Sequence, residues 1–289
     1  MSEPTKLYDI MVDCHPQTTK PGNGAGETAE KTKAPAKTQE PPKPNPWDFV
    51  NSVYRRIIRD AEKHQSQFPD LTDAETYRAH STLVCEIANK VCLAKQNRKF
   101  IIDEHNEKVL RFLLYYFNNC ELACDVFPDK NHKLDKHILL MGGVGTGKTL
   151  MMQIFSEYLR LTNNPNFFHN VSVTQMVNYY TIHNNIDRFL YNEENSTGFQ
   201  IKPFNLCLND LGVDNRPFYG IDTTTLTCDF LHARNEIWAM TAPEQHKFAH
   251  LTTNLSIDQL KEKYADGFGR LVDRFKTYNI IKLTGESRR

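Results

Sequence analysis

An unbroken apolar run, Ile138-Leu139-Leu140-Met141, leads straight into Gly142-Gly143-Val144-Gly145-Thr146-Gly147-Lys148-Thr149. A continuous apolar run of this length reads as a strand buried on both faces. The residues from Lys148 to about Arg160 read as a helix. A strand, a glycine loop and a helix in that order can turn backbone N–H groups inward around an anion. The glycines keep side chains out of the way. The helix N-terminus adds a field that favours anionic oxygens. Lys148 has the reach for outer phosphates, and the Thr149 hydroxyl can bind magnesium. These residue types point to a nucleoside triphosphate, ATP with magnesium. The alternative is a glycine-rich turn with no ligand.

Strand and helix patterns alternate around this loop. Phe167 to Val173, Phe204 to Leu208, Phe248 to Thr252 and Tyr278 to Leu283 read as further strands. Helices are expected through Met176, Val177 and Tyr180, from an Asp222 cap to about Trp238, after a Ser256/Gln259 capping box, and over about Gly269 to Phe275. Such alternation predicts an α/β fold, a parallel sheet with helices on both faces. Ligands of such sheets sit at the carboxyl ends of the strands, where the glycine loop lies.

Helices are also expected before this region. One starts near Trp47 and carries Phe49, Val50, Val53, Tyr54, Ile57 and Ile58 at helical spacing. A second begins at Thr72, which with Glu75 fits a capping box, and carries Leu83, Val84, Ile87, Ala88 and Val91. A third follows an Asp103 cap and holds Val109, Leu110, Leu113, Leu114 and Phe117. Residues 1–46 differ from all of this. They hold eight of the fourteen prolines and one aromatic, Tyr8. A segment so poor in apolar surface cannot offset its ordering entropy, so it reads as a disordered tail. The organisation expected is a tail over 1–46, a helical segment over 47–99 and an ATP-binding domain over 100–289.

Formal net charge is zero, so whole-molecule charge predicts neither a nucleic-acid nor a membrane partner. No apolar run approaches membrane-spanning length. The seven cysteines are odd in number and irregular in spacing, and Met1-Ser2-Glu3-Pro4 does not open a signal peptide. A reducing, cytoplasmic compartment is expected. The pairs Cys120/Cys124 and Cys85/Cys92 lack trusted zinc spacings and read as core packing.

Three further elements carry chemistry. Leu206-Cys207-Leu208-Asn209-Asp210-Leu211-Gly212 is an apolar strand ending in polar groups. Magnesium coordination and water activation ask for acids at such a place. Asn209 is a neutral amide and brings no charge to a metal, so Asp210 carries the acidic role; the bland reading is an Asx turn. Asn254, in Thr252-Thr253-Asn254, ends the next strand, where an amide orients a water or the terminal phosphate. It also fits a lead-in loop before Ser256. Arg270 and Arg274 are four apart on an expected helix and share one face. Such a pair either reaches a neighbouring subunit's phosphates or lies solvated against Asp266 and Asp273.

These four elements, in this order, resemble AAA+ ATPases of the DnaC/IstB-like group, the replicative helicase loaders and transposition helpers. The resemblance covers about Phe100 to Arg289 and includes Phe100-Ile101-Ile102-Asp103, similar to a lead-in that packs near the adenine. It implies a P-loop NTPase sheet of the AAA+ type. Gly142 to Thr149 would be Walker A, with Leu150 next to it in the nucleotide site. Asn209 and Asp210 would sit at the Walker B pair, where Asn209 departs from the usual aspartate. Asn254 would match sensor one, Arg274 the arginine finger, and Arg270 lies one turn earlier. Catalysis would rest on Asp210, Asn254, Arg274 and Arg270, and the metal on Thr149, Asp210 and Asn209. The resemblance implies self-assembly driven by ATP, and a helicase or transposase as protein partner. It also implies single-stranded DNA, for which eight basic against five acidic residues from Ser256 onward give a modest excess. The departure at Asn209 leaves room for a nucleotide-dependent interaction module with little hydrolysis. Nothing implies a membrane partner.

Overall fold

Among the described residues, five short strands form one parallel sheet. They are β1 (His137–Met141), β2 (His169–Ser172), β3 (Leu206–Leu211), β4 (Ala249–Thr253) and β5 (Tyr278–Lys282), in the order β2-β3-β4-β1-β5. The computed structural model describes residues 52–53, 55–57, 68–190, 203–212, 222–242, 246–264 and 273–287. The tail over 1–46, most of the helix expected from Trp47, and Arg270 with Asp266 and Gly269 lie outside the described residues.

The helices with both ends among the described residues are α1 (Ala74–Gln96), α2 (Glu107–Phe117), α3 (Lys148–Leu161), α4 (Val173–His183), α5 (Asp187–Leu190), α6 (Thr223–Met240) and α7 (Ile257–Lys263). All five residues of β1 are buried, as its unbroken apolar run requires. Alternate residues of that strand serve two cores. Ile138 and Leu140 join one with α1, α2 and α3. Leu139 and Met141 join another with α4, α6 and α7. The sheet is therefore covered on both faces, and the helical stretch before β1 shares a core with the sheet.

Several local expectations hold. Asp222 caps α6, and Ser256 with Gln259 makes the capping box of α7. Others are corrected. Asp73 caps α1, its carboxylate accepting from Thr76 N–H at 2.8 Å, while the Thr72 hydroxyl donates to Asp70. Two acids flanking Thr72 outcompete its hydroxyl. Asp103 accepts from His105 and Asn106 N–H in a turn, so α2 begins only at Glu107. Strand β3 runs on to Leu211 and includes Asn209 and Asp210. A second capping box, Ser172 with Gln175, opens α4 directly at the end of β2.

Candidate nucleotide site

The loop after β1 bends back on itself through Gly145 (φ +83°) and Gly147 (φ +99°), backbone angles that suit glycine. Gly147 is the N-cap of α3. A Cβ on Gly147 would meet nothing within 4 Å, so the space beside it is cavity. A Cβ on Gly142 would collide with the Leu283 carbonyl oxygen, and one on Gly145 with the Ser287 side chain. The loop is thus backed by the stretch that follows β5. Lys148 is buried at 4% exposure. Its ammonium donates to the carbonyls of Gly142 at 2.8 Å and Gly143 at 2.7 Å, and the Thr146 hydroxyl donates to Gly143 O at 3.0 Å.

The loop opens on a cavity of about 200 Å³. Val144 to Leu150 line it, and so do Asp210 and Asn254. Phe100 and Asn106, from the turn before α2, close another side. The parallel sheet brings the carboxyl ends of β1, β3 and β4 to one edge, which places Asp210 and Asn254 beside the loop. Strand β4 lies between β1 and β3, so Asn254 leaves the sheet between the loop and Asp210.

A bulge separates Asn209 from Asp210. Leu208 pairs with Leu251 and Leu211 with Thr253, so two residues of β3 stand opposite Thr252. Bulges of this kind re-aim side chains. Asp210 takes φ +63°, is half-buried, and lines the cavity; its N–H donates to Thr252 Oγ1 at 3.1 Å. Asn209 is 3% exposed and turns into the sheet. Its amide donates to Asn170 Oδ1 at 3.1 Å, and its Oδ1 accepts from the Thr252 hydroxyl at 3.2 Å. One amide thereby ties β2, β3 and β4 together, and Asn209 is not among the cavity-lining residues.

Arg274 is half-buried and also lies away from the lining. It bonds to His232 Nδ1 and stands 3.9 Å from Glu236 Oε1, both on α6. Asp273 pairs with Lys276 instead. Among the described residues no group of three or more His, Cys, Asp or Glu side chains could hold a metal, and no helix is long and apolar enough to cross a membrane. Cys92, Cys120 and Cys207 are buried as core residues, and burial pushes each thiol up.

Neither a protein-family profile nor a curated protein sequence matches the chain. Among solved structures it is similar to AMPPCP-bound DnaA from Aquifex aeolicus, with 18% identity and a TM-score of 0.42. The match covers 64% of this chain and 48% of that one, so the chain spans about half its length. At that distance the likeness says nothing about chemistry. The fold rests on its own geometry: a parallel sheet, a glycine loop between β1 and α3, and β4 inserted between β1 and β3. That is an α/β fold of the P-loop NTPase kind.

Sequence reasoning missed Lys95, Gln96, Arg98 and Gln153, which also line the cavity. No local pattern could have found them, because only the docking of α1 on α3 brings them there.

Proposed function

We propose that this chain binds ATP with magnesium and hydrolyses it as an AAA+ ATPase. One observation carries the reading: the loop, Lys148, Asp210 and Asn254 converge on a single cavity. The residues fit the ligand. The positive-φ glycines keep the loop amides open, and the helix N-terminus at Gly147 favours anionic oxygens. Lys148 binds the outer phosphates. The Thr149 hydroxyl and the Asp210 carboxylate are the hard oxygen donors that would hold magnesium. The metal, when bound, neutralises charge on the β- and γ-phosphates. Asp210 orients the attacking water and takes its proton, while the bond from the γ-phosphorus to the bridging oxygen breaks. Asn254 positions that water against the γ-phosphate.

The Asn209 geometry favours slow turnover. Its amide is occupied inside the sheet, so Asp210 is the one carboxylate lining the cavity among the described residues. The wider role follows the resemblance: a DnaC-like loader of a replicative helicase, assembling with ATP on single-stranded DNA, or an IstB-like transposition helper. The order of the four motif elements supports it, with Arg270 and Arg274 serving a neighbouring subunit's phosphates.

The test is titration with a fluorescent ATP analogue and magnesium, alongside phosphate release. Lys148→Ala is expected to weaken binding at least about tenfold, since charge-assisted bonds are lost. Asp210→Ala is expected to keep binding and lose turnover. A parent chain that does not bind ATP, or a Lys148→Ala variant that binds it equally, would overturn the reading. Light scattering with ATP, with and without single-stranded DNA, checks the assembly.

A further inference from the structure

The cavity has a second wall that the loop does not supply. It is the end of α1 and the turn after it, where Lys95, Gln96, Arg98 and Phe100 face the same space as the loop. Two of these are cations, and each is held by a neutral amide. Lys95 donates to Gln153 Oε1 on α3, and Arg98 Nε donates to Gln96 Oε1 at 2.7 Å. Among the described residues neither has a carboxylate within ion-pair distance. Other surface cations do have one, as in Arg160–Glu157, Lys261–Asp258 and Lys276–Asp273. An amide fixes a cation in place without cancelling its charge.

The count around the cavity is therefore lopsided. Lys95, Arg98 and Lys148 are cations, and Asp210 is the one acid among the described lining residues. This excess sits in a chain whose formal net charge is zero. Close cations around a partly enclosed space favour a polyanion, and desolvation at the walls strengthens the effect.

We propose that Lys95 and Arg98 contact the bound nucleotide, which makes the end of α1 part of the binding site. The inference rests on the ATP reading above and extends it to a second element of the fold. Helix α1 is well placed for this. It is locked to α3, the helix that starts at the loop, by His80 Nδ1 and the Tyr158 hydroxyl at 2.6 Å and by the Lys95–Gln153 bond. A nucleotide gripped by both walls stiffens α1 against α3. Occupancy is thereby felt on the amino-terminal side of the chain, in the helices that precede β1.

The experiment measures affinity for a fluorescent ATP analogue at low and moderate salt. It compares the parent chain, the K95Q/R98Q double variant, the charge-keeping K95R/R98K variant and K148A. Neutralising both cations is expected to weaken binding about tenfold and flatten the salt dependence. The charge-keeping variant is expected to bind near the parent value. Single substitutions, each expected to cost about threefold, give the same readout should the double variant fail to fold. Parent-like affinity and salt dependence in K95Q/R98Q, with binding lost in K148A, would overturn this inference and leave the ATP reading standing. A parent chain that binds no ATP would overturn both.

Discussion

His137 and His250 cap each other's strands. The Nδ1 of His250 accepts the N–H of Ile138 at 3.1 Å, and the Nδ1 of His137 accepts the N–H of Ala249 at 3.2 Å. Both rings are buried at the amino ends of β1 and β4, the sheet edge opposite the glycine loop. Each must stay neutral to accept.

Acid should therefore unfold the protein early. Burial, then the nearby Arg234 cation, lowers His250 to about 3, and burial with the neighbouring His250 takes His137 well down. Burial also lowers His80 to about 4. Below the ordinary histidine value near 6.5 the unfolded chain binds protons that the folded chain refuses. The stability from these rings is complete above pH 6.5 and drains as pH falls towards 3 to 4. Each ring costs about 1.4 kcal/mol per pH unit in that window. Urea midpoints at pH 7.5 and 5.5 check this, with a clear drop expected at the lower value. An unchanged midpoint would contradict it.

Asn209→Asp should destabilise the fold even though aspartate is the residue the DnaC/IstB-like resemblance leads one to expect there. The side chain is 3% exposed, and its amide donates to Asn170 Oδ1 and stands 3.5 Å from the Val171 carbonyl. A carboxylate there loses those donors and buries a charge against acceptors. The expected loss is about 1–3 kcal/mol without nucleotide. Thermal melts measure it. A variant as stable as the parent would mean that Asn209 is not the strut described.

Two glycines of the loop should respond differently to the same change. Gly145→Ala and Gly147→Ala both strain a left-handed backbone, by about 1–2 kcal/mol. Only at Gly145 does the new methyl also strike Ser287, whose Cβ stands 2.9 Å from its position. Adding Ser287→Gly should recover part of the lost ATP affinity and melting temperature of Gly145→Ala. It should recover none for Gly147→Ala. Equal recovery in both would show that Ser287 does not back the loop.

What could be read in the sequence was local. The loop, the buried run of β1 and the caps at Asp222 and Ser256 depend on neighbours a few residues away. The motif separates acidic Asp210 from neutral Asn209, but that Asn209 turns into the sheet while Asp210 faces the cavity depends on a bulge opposite Thr252, on another strand. Arg234 shows the same limit. It sits in the middle of an ordinary helical stretch, yet it is 1% exposed, donates to the carbonyls of Phe204 and Phe248, and is lowered by burial to about 10. Lys95 and Arg98 reach the cavity only because α1 docks on α3. These features arise from tertiary placement, and spacing along the chain carries no trace of them.

The interior position of β1 bears on the order of folding. Its two neighbours, β4 and β5, begin more than a hundred residues after it, at Ala249 and Tyr278. Until those residues are available, the strand that leads into the glycine loop has both edges unpaired. Closure of such distant contacts is slow and leaves unpaired edges exposed meanwhile. The start of the loop is held from both sides, by Gly142 N–H on Thr253 O and by Leu283 N–H on Met141 O, and the second bond needs the stretch after β5. A chain cut short after β4 would carry every residue of the Gly142–Thr149 motif and still lack the edge that holds it in place.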